Sequence, residues 1–443
     1  MKTAARSVPA LSEDRLAVLR RAIDPRVVQS VLERHWRPAH PFSGRLAGCA
    51  VYRLFPRGAD RFVVKYLLTL VSDNGERREQ LAFGEIAPGD ARARCADKLL
   101  RLRKSRRGQI PKGVRHSPAL TAIPELDMVL VLPGYDEKLP GLALHHQPER
   151  AAALLARLAP QETAVLDVCS EILNHRPGKR CILRLRSADG FSVVARVLKP
   201  VDDRHHQNVH VMEALRRAGL DDESPDGVRV PRPLGVDDGL SVVVLEDVPG
   251  CTLHDDRALP PLRKAAIAAT AIGRLHGLAP PVSRHYVLTE ELAMLQEWVE
   301  LTRCLRSDIG RPLDRALAAV TRRLTALPPA PPSLTHRDFY DKQVIHDGER
   351  TVLIDFDTLS LADPAMDLGN HIAHRRLAAL RGEPWDADED AAFIQGYSMH
   401  RTPPDPLRID AWRDATLLRL ACLYALRSDF ADKVPELLAG IAD

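Results

Sequence analysis

One run of the chain, SLTHRDFYDKQVIHDGERTVLIDFDTLSLADPAMDLGNHIAH from Ser333, concentrates side chains able to do chemistry. Leu334-Thr335 ends a short apolar strand, and His336-Arg337-Asp338 opens a loop. Gln343 follows five residues after Asp338, then Val344-Ile345, a turn at Asp347-Gly348 and a strand over 351–354. Such a hairpin brings Asp355 to a strand end near Gln343 and Asp338. A carboxylate and an amide oxygen that converge in this way can hold Mg²⁺, which takes oxygen ligands and keeps several waters. Asp338, left without metal, can accept the proton of a substrate hydroxyl while the metal neutralises a transferring phosphoryl group.

These residues resemble the aminoglycoside phosphotransferase and choline-kinase-like family. HRDFYDKQ is similar to its H-x-D-x-x-x-x-N catalytic loop, with Gln343 where Asn is usual, and IDFD to its D-x-[DE] metal element. DPAMDLGN is similar to the segment that follows, with Asp367 as a carboxylate supporting the loop. The resemblance runs from about 165 to 443. It implies an α+β, bilobal protein kinase-like fold, with a small antiparallel-sheet lobe and a large helical lobe. The implied activity is ATP- and Mg²⁺-dependent transfer of a γ-phosphoryl group to a hydroxyl of an aminoglycoside-, sugar- or amino-alcohol-like molecule. Asp338 is then the catalytic carboxylate, and His336 completes the catalytic loop as a hydrogen-bonding residue. Gln343 and Asp355 hold Mg²⁺, and Asp357 supports that metal site. An unrelated hairpin with clustered acids is the plain alternative. The agreement of loop, hairpin and downstream Asp in spacing argues against it.

The resemblance also implies a phosphate clamp. The family's third strand overlays on 193–197, which puts Arg196 where lysine is usual, with Lys199 the alternative. Arginine stays charged and binds phosphate through parallel hydrogen bonds, so the role survives the exchange. Strand neighbours three apart face opposite sides, so only one of the two can enter the cleft. The helix glutamate expected next is missing: Asn208 stands there, and Glu213 is out of register. No glycine triplet covers the phosphates, only Pro177-Gly178. Val242–Glu246 and the following Asp247-Val248-Pro249-Gly250 resemble the hinge, where adenine meets backbone near Glu246 and Val248. Asp355 and Asp367 stand 12 apart, too close for a long switch loop, so Arg337 is expected to pair with a nearby carboxylate.

The elements around this centre follow from pattern. Residues 12–38 read as helical, and 147–176 hold an Ala/Leu-rich helix closed by Pro160. From 259 onward the pattern is helical, apart from short strands around 334–357, which the proline-rich 328–333 leads into. Two strand-rich blocks echo each other, at about 45–134 and 170–250. A turn at Asn74-Gly75 answers one at Asp189-Gly190, PKGVR from Pro111 answers PDGVR from Pro225, and both blocks end in apolar strands before Pro-Gly. Turn glycine to closing glycine spans 59 residues in the first (Gly75 to Gly134) and 60 in the second (Gly190 to Gly250). Asn-Gly and Asp-Gly predict tight hairpins with both central residues at positive φ. Repetition in the same order points to a duplicated unit. The expected organisation is an N-terminal α+β cap over 1–150, a kinase small lobe over 151–253 and a helical lobe over 254–443. The first copy offers Phe83-Gly84-Glu85 where the second has Arg196, so the cap is expected not to bind ATP.

Bulk properties narrow the class. A net charge of +4 on 443 residues does not suggest nucleic acid, and the basic stretch Arg101–Arg107 reads as a solvated helix end. The beginning of the chain lacks the apolar run of a secretory signal, and no segment has the apolar length of a membrane span. Seven scattered cysteines without a CxxC fit a reducing cytoplasm better than disulfides or zinc. Glu290, Glu291, Glu297 and Glu300 offer either a site for a cationic acceptor or the polar face of a surface helix. Two other readings stand beside the small-molecule kinase. The chain resembles bacterial maltokinase in its added N-terminal region and its loop Gln, though that family usually has His-Gly-Asp. The altered lysine, missing Glu and Gln-for-Asn also fit a nucleotide-binding pseudokinase.

Overall fold

The computed structural model describes residues 11–37, 44–58, 60–104, 119–158, 167–201, 204–279 and 282–441. Two short helices, α1 (Glu13–Ala22) and α2 (Pro25–His35), start on Ser12 and Asp24. Each cap side chain accepts backbone N–H groups that a first helical turn leaves unpaired. They pack on strands β1 (Gly44–Pro56), β2 (Phe62–Ser72) and β3 (Arg77–Ile86), helix α3 (Ala91–Lys104), then β4 (Leu120–Ile123) and β5 (Met128–Val131). The turn α4 (Ala143–His146) and helix α5 (Pro148–Leu158) lead to a second sheet. It is built from β6 (Val168–Arg176), β7 (Arg180–Ser187), β8 (Ser192–Leu198), β10 (Pro233–Asp237) and β11 (Val242–Glu246); helix α6 (Arg204–Arg217) and the two-residue β9 (Val228–Arg229), which belongs to another sheet, come between β8 and β10.

The sheets share one strand order. The first runs β1-β2-β3-β5-β4 and the second β6-β7-β8-β11-β10, each with its helix after the third strand. Their turns agree hydrogen bond for hydrogen bond. Gly75 N–H donates to Ser72 C=O at 2.9 Å, and Glu76 N–H to Asn74 Oδ1 at 3.2 Å. Gly190 N–H donates to Ser187 C=O at 3.0 Å, and Phe191 N–H to Asp189 Oδ1 at 3.2 Å. Only the glycines have positive φ, 85° and 93°. The expectation of two left-handed residues per turn is therefore corrected. These are three-residue loops in which the Asx side chain braces the turn and a left-handed glycine closes it. The Pro111 motif, Pro160 and Arg107 lie outside the described residues.

Beyond β11, Pro249-Gly250 crosses to β12 (Cys251–Thr252). Gly250 has φ 94°, and a Cβ there would sit 2.3 Å from His346 C=O, so only glycine fits this crossing. The rest is helical: α7 (Pro261–His276), α8 (Leu288–Leu305) and α9 (Gly310–Ala326) come first. The strands β13 (Ser333–Thr335), β14 (Val344–His346), β15 (Thr351–Leu353) and β16 (Ser360–Ala362) follow, then α10 (Ala365–Leu380), α11 (Glu389–Ser398), α12 (Pro406–Ala425) and α13 (Val434–Ala439). One large apolar core fills this part, and a second fills the N-terminal sheet. The second core also takes Leu301 and Leu305 from α8, and Leu426. The N-terminal sheet thus leans on both walls of the cleft. Arg57, just past the end of β1, donates to Pro177 C=O at 3.0 Å on one side, and Ser428 N–H to Val51 C=O at 3.1 Å on the other. Among the described residues no helix is long and apolar enough to cross a membrane.

Candidate active site

Strand β13 delivers the loop 336–343, and hairpin β14–β15 returns beside it. Asp367, at the start of α10 and fully buried, accepts from His336 N–H at 2.7 Å and Arg337 N–H at 2.6 Å. The buried His276 ring, 3.0 Å away, holds the same carboxylate and is held in turn by Tyr397 Oη at 3.0 Å. This fixes Arg337 in a left-handed conformation, φ 69°. A non-glycine residue there costs roughly 1–2 kcal/mol, and Asp367 holds the strained turn closed. Asp338 is aimed outward as a result.

His336 is buried, as its hydrogen-bonding role requires. Its Nε2 meets Ile354 C=O at 2.9 Å, and Asp338 N–H lies 3.4 Å from its Nδ1. Asp338 is half-buried, and its carboxylate makes no hydrogen bond among the described residues. Burial raises its pKa above the ordinary carboxylate range, and Arg419 and His336 offset that only in part. It lines a cavity of about 470 Å³ together with Tyr52, Arg53, Trp298, Tyr340, Lys342 and Arg419, among others.

On the other flank, Ile354 N–H donates to Gln343 C=O at 3.0 Å, which sets Gln343 beside Asp355 across the hairpin. Asp355 is also left-handed, at φ 64°, and begins the short 3-10 turn that carries Asp357. Arg180 grips both Asp355 oxygens at 3.0 and 2.9 Å and reaches Asp357. Arg196 pairs with Asp357 and lies 3.8 Å from Asp355. Burial pushes the Asp355 pKa up, but Arg180 and Arg196 outweigh it and hold the carboxylate down at about 2. It is therefore ionised throughout the physiological range. The donor set of two carboxylates and the Gln343 amide is the hard oxygen chemistry Mg²⁺ takes. Among the described residues the Nε atoms of Arg180 and Arg196 are buried without partners, which suits phosphate oxygens.

Of the two candidate clamps, Arg196 is buried against the acidic pair, while Lys199 lies exposed past the end of β8. Arg180 escaped the sequence reading. Its signal is the alternation Arg180-Cys181-Ile182: Ile182 pairs with Arg196, so Arg180 shares that face. Glu213 faces Arg217 on its own helix at 4.0 Å and takes no part. Arg337 pairs with no carboxylate among the described residues. Its guanidinium lies 3.2 Å over the Tyr286 ring, and Tyr286 Oη donates to Glu291 at 2.9 Å. Of the four glutamates singled out, only Glu291 lines the cavity, and Glu290 caps α8 through Val287 N–H. At the hinge, Glu246 N–H is already spent on Arg232 C=O at 3.0 Å, and its side chain is tied to Arg229. Val248 makes no backbone hydrogen bond among the described residues.

Residues 178–412, more than half of the chain, match the sequence model of the phosphotransferase enzyme family. The chain belongs to that family. The antiparallel sheet over a helical body, with the β14–β15 hairpin beside it, is its protein-kinase-like fold. A choline/ethanolamine kinase family protein from Mesorhizobium loti is 19% identical, with a TM-score of 0.44 over 66% of this chain and 91% of that one. Spectinomycin phosphotransferase, solved with ADP and spectinomycin, is 12% identical, with a TM-score of 0.46 over 66% and 89%. A Plasmodium vivax ethanolamine kinase is 14% identical, with a TM-score of 0.44 over 66% and 87%. No curated protein matches the sequence. The family segment starts at Gly178, so the first sheet lies outside it.

Proposed function

We propose that the protein is an ATP- and Mg²⁺-dependent phosphotransferase that moves the γ-phosphoryl group of ATP to a hydroxyl of a small molecule. The observation that carries this reading is the unpaired Asp338 carboxylate at the wall between a cavity and an acidic pair flanked by two arginines. Asp338 takes the hydroxyl proton as the new O–P bond forms and the β–γ bridging P–O bond breaks, with ADP leaving. His336 and Asp367 hold Asp338 in place. Arg196, joined by Arg180, meets phosphate oxygens. The Glu246 C=O and Val248 backbone are the adenine contacts. Gln343, Asp355 and Asp357 are the residues that would hold Mg²⁺, whose charge, when bound, neutralises the β- and γ-phosphates. In this reading residues 151–253 form the nucleotide lobe, 254–443 the helical lobe and 1–150 a cap that binds no nucleotide.

Titration of ATP with and without Mg²⁺ tests the reading. Wild-type protein should bind ATP more tightly with Mg²⁺, and Asp355→Ala should lose that Mg²⁺ dependence. A mutant with the full Mg²⁺ response puts the metal elsewhere, and no ATP binding by the wild type defeats the reading.

A further inference from the structure

The cavity beside Asp338 has an unusual charge balance. Eight arginines and lysines line it against four aspartates and glutamates. Half of those cations are already engaged. Arg375 is buried with Asp341 and Glu389, Arg427 and Arg381 face Asp429, and Arg337 is stacked on Tyr286. Arg53, Arg176, Lys342 and Arg419 form no ion pair among the described residues; Arg419 reaches only the Asn370 amide oxygen. Arg53 is ringed by protein yet open to solvent, as a side chain in a cavity wall is. Arg176 is pushed below its ordinary pKa first by burial, then by Arg180, Arg53 and Arg57 around it. Like charges held together repel, and Asp338 is one carboxylate among four such cations.

The cations come from separate parts of the chain. Arg53 is on β1 of the N-terminal sheet, Lys342 on the catalytic loop and Arg419 on α12. Arg53 and Arg419 line the same cavity as the Asp338 carboxylate. The acidic pair and its arginines lie outside the cavity lining. The triphosphate already has its own cations there. The cavity also offers aromatic walls in Tyr52, Tyr340 and Trp298, and its volume is in the range that holds one small ligand.

Resting on the phosphotransferase reading, we propose that the acceptor is itself an anion, a polyhydroxylated compound bearing a phosphate or carboxylate that Arg53, Lys342 and Arg419 receive. The N-terminal sheet then supplies part of the acceptor site. A cationic acceptor of the kind the α8 glutamates suggested from sequence would meet four unpaired cations.

Calorimetric titration without nucleotide tests this on the full chain. The probes are glucose 6-phosphate, glycerol 3-phosphate and gluconate, with glucose and glycerol as neutral parents and choline and kanamycin as cations. At least one anionic probe should bind tenfold or more tightly than its neutral parent and than either cation. Raised salt should weaken that binding, because exposed charges are screened. Arg53→Met and, independently, Lys342→Met should each weaken it several-fold, while Arg21→Met, on an exposed face of α1, should not. A preference for the sugar phosphates assigns the anion as phosphate, and one for gluconate assigns it as carboxylate. Three results overturn the proposal. They are equal or tighter binding of a neutral or cationic probe, no anionic binding at millimolar concentration, and both substitutions leaving anionic affinity within twofold. ATP titration on the same protein keeps the outcomes apart: normal Mg²⁺-ATP binding with a neutral or cationic acceptor sinks only the anion.

Discussion

Asp338 is raised above the ordinary carboxylate range because burial outweighs the cations near it. An aspartate with a higher pKa folded than unfolded binds its proton better in the native state. Its ionisation therefore costs stability above the folded pKa, and that cost vanishes below the unfolded value. At neutral pH, Asp338→Asn should leave the melting temperature unchanged or higher while phosphoryl transfer falls by ~10²–10⁴-fold. A melting temperature several degrees lower would contradict the burial argument, and turnover within threefold of wild type would contradict the base. The wild-type rate should fall on the acid side at a pH above the ~3.9 of a free aspartate. Arg196→Met should weaken ATP binding substantially and Lys199→Met should not, since only Arg196 reaches the acidic pair. Equal small losses from both would leave neither as a clamp.

The two hairpin turns allow a cleaner test of an element. At Gly190 an added Cβ meets nothing within 4 Å, so Gly190→Ala changes only the backbone preference at φ 93°. The expected cost is about 1–2 kcal/mol, read as a lower urea midpoint at unchanged slope. An unchanged midpoint would mean that the turn relaxes to another form. These turns were legible because Asn-Gly and Asp-Gly state their geometry locally, although the sequence alone assigned the wrong loop length. The loop 336–343 and the hairpin beside it were legible for the same reason: His336, Asp338, Gln343 and Asp355 lie within one short stretch. Arg180 was not, because its role depends on the register of β7 against β8. Arg53 and Arg419 were further out of reach, since a contact between β1 and α12 has no signature in the spacing of either. The stacking of Arg337 on Tyr286 likewise joins segments far apart in sequence.

At the scale of the molecule, the first sheet repeats the strand order of the second with its polarity reversed. Where β8 carries Arg196, the register of β3 on β5 puts Glu85, and Lys98 of α3 answers it at 2.9 Å, with Glu137 also at 2.9 Å. This ion cluster pairs its charges internally, in keeping with the proposed cap. Its core is completed from the helical side by Leu426, buried in the N-terminal cluster. Leu426→Ala should cost ~2–5 kcal/mol and speed amide exchange over 44–86 more than over 333–355. Uniform exchange across both would mean that the sheet does not depend on this anchor. The sheet is fastened to Pro177 on one wall and to Ser428 on the other, so it works as a crossbar. Two walls joined by a crossbar cannot spread by bending at the 246–250 linker alone, since one fastening would have to slip. The aperture is then set by the span of a five-stranded sheet, a gauge of fixed width. Acceptors should divide sharply by girth, with those too wide for the gap refused whatever their charge.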